Sequence, residues 1–390
     1  MRPIRTLTRA LAFGLSLWSL THLGHAEPIT PARDDEVIET LPAASAGRDE
    51  ERRLRKRLNE RPDDVALAVR VASHDLERAR EAGDPRFAGL ALAALRHWPD
   101  APAAPAEVLL LRATLQQYLH EFDSSVASLH VLLARPGGER MAQAWLTLAT
   151  VLRVQGRYAA SDVACRRVET AGARVHSTAC LAENNALRGN VDDARRSFAA
   201  LLADPRMPAA TRGWLMTSLA ELEQRDGRAS PADAAFRSVL RLGPDGYASI
   251  AYADFLIQQR RPVEALKLLR DEPRTDAVLL RLAIAGAQAA SAGAIRDAAE
   301  MRERIALANE RPEAQKFHGR EQAMFALFVE HAPGRALELA RGDVAQQREP
   351  LDLLVLAEAA RASGDAAAIE EARRLRQSLG LHDRRIDALL

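Results

Sequence analysis

The sequence predicts an all-α protein, an α-solenoid of about eight to nine stacked helical hairpins, and three observations carry that reading. Apolar residues make up 47% of the 390 positions but aromatics only 4%, so alanine and leucine supply the apolar mass. Such a composition suits closely packed helices, because alanine has the highest helix propensity and lets backbones approach; sheets draw more on Val, Ile and aromatics. Second, the apolar residues recur at helical spacing in segments broken by short Gly, Pro or Asp turns. Third, one small residue returns at a nearly constant interval along the chain.

The N-terminus precedes the periodic region. Residues 1–26 begin with Arg2, Arg5 and Arg9, run through an apolar stretch from Ala10 to Leu23, and end at Gly24-His25-Ala26. That order predicts a secretory signal peptide cleaved after Ala26. The apolar stretch is short for a hydrocarbon core of about 30 Å; an uncleaved anchor using Trp18 and Leu20 is the alternative. No Cys follows for a lipid anchor and no twin-arginine pair precedes, so general secretion and a periplasmic location are expected. Residues 27–48, with Pro28, Pro31 and Pro42, read as a flexible leader. No later segment is apolar enough to span a membrane. Without residues 1–26 the chain holds 51 basic and 53 acidic residues, a near-neutral balance that argues against a nucleic-acid partner. The basic run Arg52–Arg57 is interleaved with Leu54 and Leu58 on one helix face and flanked by acids, which predicts a solvated amphipathic helix.

From 49 to 390 the chain reads as helical hairpins, with breaks that include Gly83-Asp84-Pro85, Gly156, Gly189, Gly227, Pro262, Pro333-Gly334 and Gly364-Asp365. Ala113, Ala149, Ala182, Ala220, Ala253, Ala283 and Ala357 recur at intervals of 36, 33, 38, 33, 30 and 74, the last spanning a weaker repeat near Ala323. A large residue precedes most of them (Leu148, Leu181, Leu219, Tyr252, Leu282, Leu356), with Arg112 the exception. Trp145, Leu148 and Ala149 followed by Gly156-Arg157-Tyr158, Ala194 with Phe198, and Ala232 with Phe236 complete the pattern.

On these residues the sequence resembles the tetratricopeptide repeat family, best over 106–270. The resemblance implies a right-handed superhelix whose concave face binds a protein or peptide. A lone hairpin cannot cover its apolar face, so neighbours must stack.

Catalytic motifs are absent: no nucleophile elbow, phosphate loop or dinucleotide fingerprint occurs, and the eight histidines after residue 26 are dispersed without metal-binding spacing. No cofactor, metal or enzymatic activity is expected. Cys165 and Cys180 fall on neighbouring helices of successive hairpins and would form a disulfide in an oxidising compartment; two buried reduced thiols are the alternative. Lys and Asn are missing at the positions of a carboxylate clamp, which carry Leu110, Thr114, Leu146 and Thr150. The register instead turns Gln117, Tyr118, Thr150, Arg153, His176, Glu183, Trp214, Glu221, Tyr247 and Asp254 toward the concave side, a mixture of aromatics and charges typical of a contact surface. The expected function is a periplasmic interaction scaffold or assembly factor for a cell-envelope protein or peptide. An envelope-glycan enzyme using Glu183, Glu221 and Asp254 is the alternative, and a structural subunit buried by its convex face is the third reading.

Overall fold

A computed structural model describes residues 46–98, 103–243, 245–310 and 319–390, so the expected signal peptide and nearly all of the expected leader lie outside the described residues. The chain divides into two units, Met1–Glu50 and Glu51–Leu390. The first is described only over 46–50, which is helical; the second carries the hairpins.

Helix α1 (Ala46–Glu60) precedes nine hairpins among the described residues: α2–α3 (Val65–Ala82, Pro85–Ala94), α4–α5 (Ala106–Tyr118, Phe122–Leu133), α6–α7 (Ala142–Val154, Tyr158–Thr170), α8–α9 (Arg174–Leu187, Val191–Leu202), α10–α11 (Ala209–Arg225, Ala229–Leu240), α12–α13 (Gly246–Gln258, Pro262–Leu269), α14–α15 (Asp276–Gln288, Ala294–Asn309), α16–α17 (Gly319–Phe328, Pro333–Val344) and α18–α19 (Pro350–Ser363, Ala366–Leu379). The short α20 (Arg384–Asp387) closes the chain, and no strand occurs among the described residues. First helices of successive hairpins pack on one another as well as on their own partners, the stacking that an incompletely covered hairpin demands.

The recurring alanines sit in the middle of the first helices. Ala113, Ala149, Ala182, Ala220, Ala253, Ala283, Ala323 and Ala357 are all at most 1% exposed, so each is the point of closest helix approach. The weak repeat near Ala323 is therefore a full hairpin. Arg112, where a large apolar residue was the rule, is buried because its guanidinium donates to the carbonyls of Leu95, at 3.3 Å, and Trp98, fastening the irregular connection after α3. Leu54 and Leu58 of the basic run pack on α2, and Arg55 pairs with Asp75 at 2.7 Å.

Each hairpin reverses at a single left-handed residue. In the first seven hairpins the next residue's N–H donates to the carbonyl five residues back, as in Arg157 to Leu152 (2.8 Å), Asn190 to Asn185 (2.9 Å) and Arg261 to Leu256 (2.9 Å), closing the first helix with a Schellman-type turn. Gly83, Gly156, Gly189, Gly227 and Gly364 occupy five of the nine positions, while His120, Arg260, Ala290 and His331 occupy the rest.

The superhelix of this unit touches itself. Thr275, just before the seventh hairpin, lies against Gly83 in the turn of the first. Arg348, before the ninth hairpin, donates its N–H to Val154 O (2.7 Å) beside the turn of the third, and His382, after the ninth, donates to Leu187 O (2.7 Å) beside the turn of the fourth. The acceptors are 33 residues apart and the donors 34, so one coil docks on the next in repeat register, six hairpins on. Arg384 of α20 extends the contact to Gly227 and Asp226.

Cys165 of α7 and Cys180 of α8 are joined in a disulfide, buried, with Cα atoms 5.7 Å apart, so the third and fourth hairpins are linked covalently.

A lumen inside the superhelix

The first helices α4, α6, α8, α10 and α12 line one cavity of about 770 Å³. Gln117, Thr150, Arg153, Glu183, Trp214, Glu221 and Tyr247, all placed on the concave side by the sequence register, face it. Gln347, Glu349 and Pro350 of the next coil bound it on another side, so the concave face is narrowed into a partly open chamber.

Three expected residues stand elsewhere. Tyr118 is turned to the packing between α2 and α4, its hydroxyl donating to Ala79 O at 2.8 Å. His176 does not line the chamber but backs it, its ring stacked 5.7 Å from that of Trp214. Asp254 lies further along, held by both nitrogens of the buried Arg281 at 2.9 and 2.8 Å.

The expected column of free carboxylates is a series of occupied ones. Glu183 pairs with Arg153 (2.6 Å) and accepts from Ser218 Oγ (2.6 Å). Glu221 accepts from the Tyr247 hydroxyl at 2.7 Å and stands 3.8 Å from Arg225. Burial raises the Glu221 carboxyl above its ordinary range, and the Glu221 charge holds the Tyr247 phenol well above its own. Most of the Tyr247 residue is open to solvent, and only its hydroxyl end reaches inward.

Tyr158 is a lining residue that the register did not place. It opens α7 and is 4% exposed, and its hydroxyl has no hydrogen-bond partner among the described residues. Burial pushes that phenol to about 12, so it stays protonated and remains a donor aimed at the chamber. The tyrosine was legible as a repeat-pattern residue, but that pattern reads as packing. Gln347, Glu349 and Pro350 were invisible because only the return of the coil brings them in.

Beside Pro350 lies a buried ionic cluster. Arg320 pairs with Glu349 (2.5 Å) and with Asp352, and the Glu349 N–H donates to Asp352 Oδ2 (2.7 Å) at the start of α18. Burial, reinforced by the Asp352 charge, raises the Asp343 carboxyl far above the carboxylate range.

A smaller polar cavity of about 160 Å³, the neck, adjoins the chamber, sharing Glu221, Arg225 and Tyr247 with it beside Asp254, Arg281 and Arg320. The neck shares Asp254 and Gln258 with a further cavity of about 390 Å³ between α12, α14, α16, α18 and the chain end, walled by Phe255, Ile284, Met324, Phe328, Leu354 and Val355. Among the described residues no group of three or more His, Cys, Asp or Glu could hold a metal ion, and no helix is long and apolar enough to cross a membrane.

No protein-family model matches the chain, and no curated protein does. Solved structures do match. A Rap protein complexed with Competence and Sporulation Factor is 10% identical, covers 88% of this chain and 93% of its own, and superposes with a TM-score of 0.51. A tetratricopeptide repeat protein from Parabacteroides merdae ATCC 43184 (17% identity, 56% of this chain, 83% of its own, TM-score 0.44) and the P58(IPK) TPR domain (16%, 85%, 94%, TM-score 0.21) also match. The hairpin order, the buried alanines and the likeness to the Rap protein define the chain as an all-α helical-repeat solenoid.

Proposed function

We propose that this protein is an interaction scaffold that takes an extended segment of a cell-envelope protein or peptide into its lumen. The row of adjoining cavities, polar chamber, neck and apolar pocket, that share lining residues carries the reading. Its walls alternate aromatic rings with donors and acceptors, the composition of recognition surfaces. An extended strand fits a chamber narrowed by the next coil better than a helix about 10–12 Å across. The Rap neighbour was solved complexed with a factor, which agrees with this use of the fold. Hydrolysis is the weaker reading, since Glu183, Glu221 and Asp254 are each engaged by a neighbour. Nor do the exposed large apolar residues, such as Leu90, Val163, Val263 and Ile295, favour a buried convex face, being single side chains on separate helices.

The segment 1–26 and the joined cysteines support export to the periplasm. A mass measurement on the protein from the periplasmic fraction is expected to give a chain starting at Glu27; an intact Met1 in the cytoplasm would refute this. For the lumen, a photo-crosslinking residue at Thr150 is expected to capture an envelope partner that the same residue at Val163, on the outer helix α7, does not. Trp214→Ala should weaken that capture by about 2 kcal/mol, the scale of an interface hot spot. Equal capture from both positions would sink the lumen assignment.

A further inference from the structure

Resting on the lumen reading above, we propose that the apolar pocket is an anchor site for one bulky apolar side chain of the bound segment, with that residue's own backbone amide held by Glu358 and Arg260. Phe255, Ile284, Met324, Phe328, Leu354 and Val355 wall the cavity, and its volume of about 390 Å³ lies near the lower end of ligand pockets, which run from roughly 300 to 1,000 Å³. That is room for a side chain and its amide, not for a helix.

The polar rim narrows the choice. Asp254 is committed to Arg281, and Arg385 to Asp383 (2.5 Å) and the Gln258 side chain (3.1 Å). Glu358 and Arg260 also line the pocket, and neither has a hydrogen-bond or ion-pair partner among the described residues. The site therefore offers one open acceptor and one open donor beside an apolar wall. A backbone amide supplies the matching pair, an N–H for the Glu358 carboxyl and a C=O for the Arg260 guanidinium. A fatty acid would satisfy Arg260 but place its carboxylate against Glu358; an alkylamine would satisfy Glu358 but face Arg260. Of these three, the amide alone answers both. The desolvation that raises the Glu358 carboxyl to about 7 is relieved by such a donor.

Two further observations agree. The neck shares Asp254, Gln258, Leu351 and Arg385 with the pocket, so the anchor site lies next to the polar cavities proposed to hold the strand. The chain's own Leu389 borders the cavity, packed on its apolar surroundings, so a peptide leucine already suits its edge.

The test uses N-acetyl-phenylalaninamide as probe on the purified chain, read through the methyl signals of Met324 and Val355 by NMR. Saturable shifts are expected with this probe and none with N-acetylglycinamide. Glu358→Ala should weaken binding at least fivefold and Glu358→Gln, which keeps an acceptor, by less; unchanged far-ultraviolet dichroism would show that both variants fold. The proposal is overturned if the probe leaves these methyls unmoved, if Glu358→Ala binds it as well as the native chain, or if octanoate or octylamine binds the pocket more tightly. Crosslinking at Thr150 reads the polar chamber independently, so failure of the anchor leaves the lumen reading standing, and loss of crosslinking leaves the anchor to this test.

Discussion

The first five hairpins and the last four make the same turn with different residues. In the first five, four of the left-handed positions are glycine, and each of those glycines faces the next coil: an added Cβ would stand 2.9 Å from Thr275 Cβ at Gly83, 2.6 Å from Leu379 Cδ2 at Gly156, 3.7 Å from His382 Cβ at Gly189 and 3.2 Å from Arg384 Cδ at Gly227. In the last four, three of the positions are Arg260, Ala290 and His331, with φ of 57°, 49° and 53°. The fourth, Gly364, has nothing within 4 Å of an added Cβ. Left-handed backbone costs an L-residue about 1–2 kcal/mol. That cost alone does not require glycine here; the neighbouring coil supplies the rest of the reason.

The comparison can be broken at its docking segment first. Removing residues 380–390 takes away the buried Leu381 and Ile386 with the His382 hydrogen bond, and about 4 kcal/mol of unfolding free energy should go with them. Amides around the Gly189 and Gly227 turns should then exchange faster; unchanged protection there would mean that coil contact contributes little. Reducing the Cys165–Cys180 bridge, which closes a loop of 15 residues, should cost about 3 kcal/mol in urea unfolding, and a change below about 1 kcal/mol would place the stability of these hairpins in their packing alone.

Gly156→Ala combines the left-handed cost with displacement of Leu379 and should destabilise by about 2–3 kcal/mol, against about 1 kcal/mol for Gly364→Ala. Equal losses would remove the coil from the explanation. A pH effect should come from Glu358, in the middle of α18. Glu358 holds its proton up to about 7 in the folded state but only to 4.5 when unfolded, so the folded state binds the proton more tightly between these values. Stability is therefore expected to fall as pH rises through that window, by about 1–2 kcal/mol after allowance for partial exposure, and Glu358→Gln should flatten the curve. The smallest effect is Ala290→Gly, expected to stabilise by about 0.5 kcal/mol, since relief of the left-handed strain exceeds the added freedom of the unfolded chain.

How much of this was legible depended on range along the chain. Ala149 and Ala220 announced their helices because close packing repeats with the hairpin, and Gly156, Gly189 and Gly227 announced turns through local backbone chemistry. His120 and Ala290 did not, as neither residue type marks a left-handed position. The polar half of the lumen was readable because Arg153, Glu183 and Trp214 stand out on faces otherwise needed for packing. Its apolar end was not: Phe255, Met324 and Leu354 look like any other core residue in sequence, and only the curvature of the stack turns them toward a cavity.

An ordinary solenoid can gain or lose a repeat at modest cost, because each unit answers only to its neighbours. Here the contacts of Arg348 with Val154 and of His382 with Leu187 make the number of repeats a matched quantity, like the turns of a spring whose ends are hooked together. Inserting one hairpin between α9 and α10 would carry Thr275, Arg348 and His382 one step past their partners Gly83, Val154 and Leu187. Drift in repeat number by duplication, the usual route by which such chains lengthen, is closed to the interior of this molecule and open only beyond its ends.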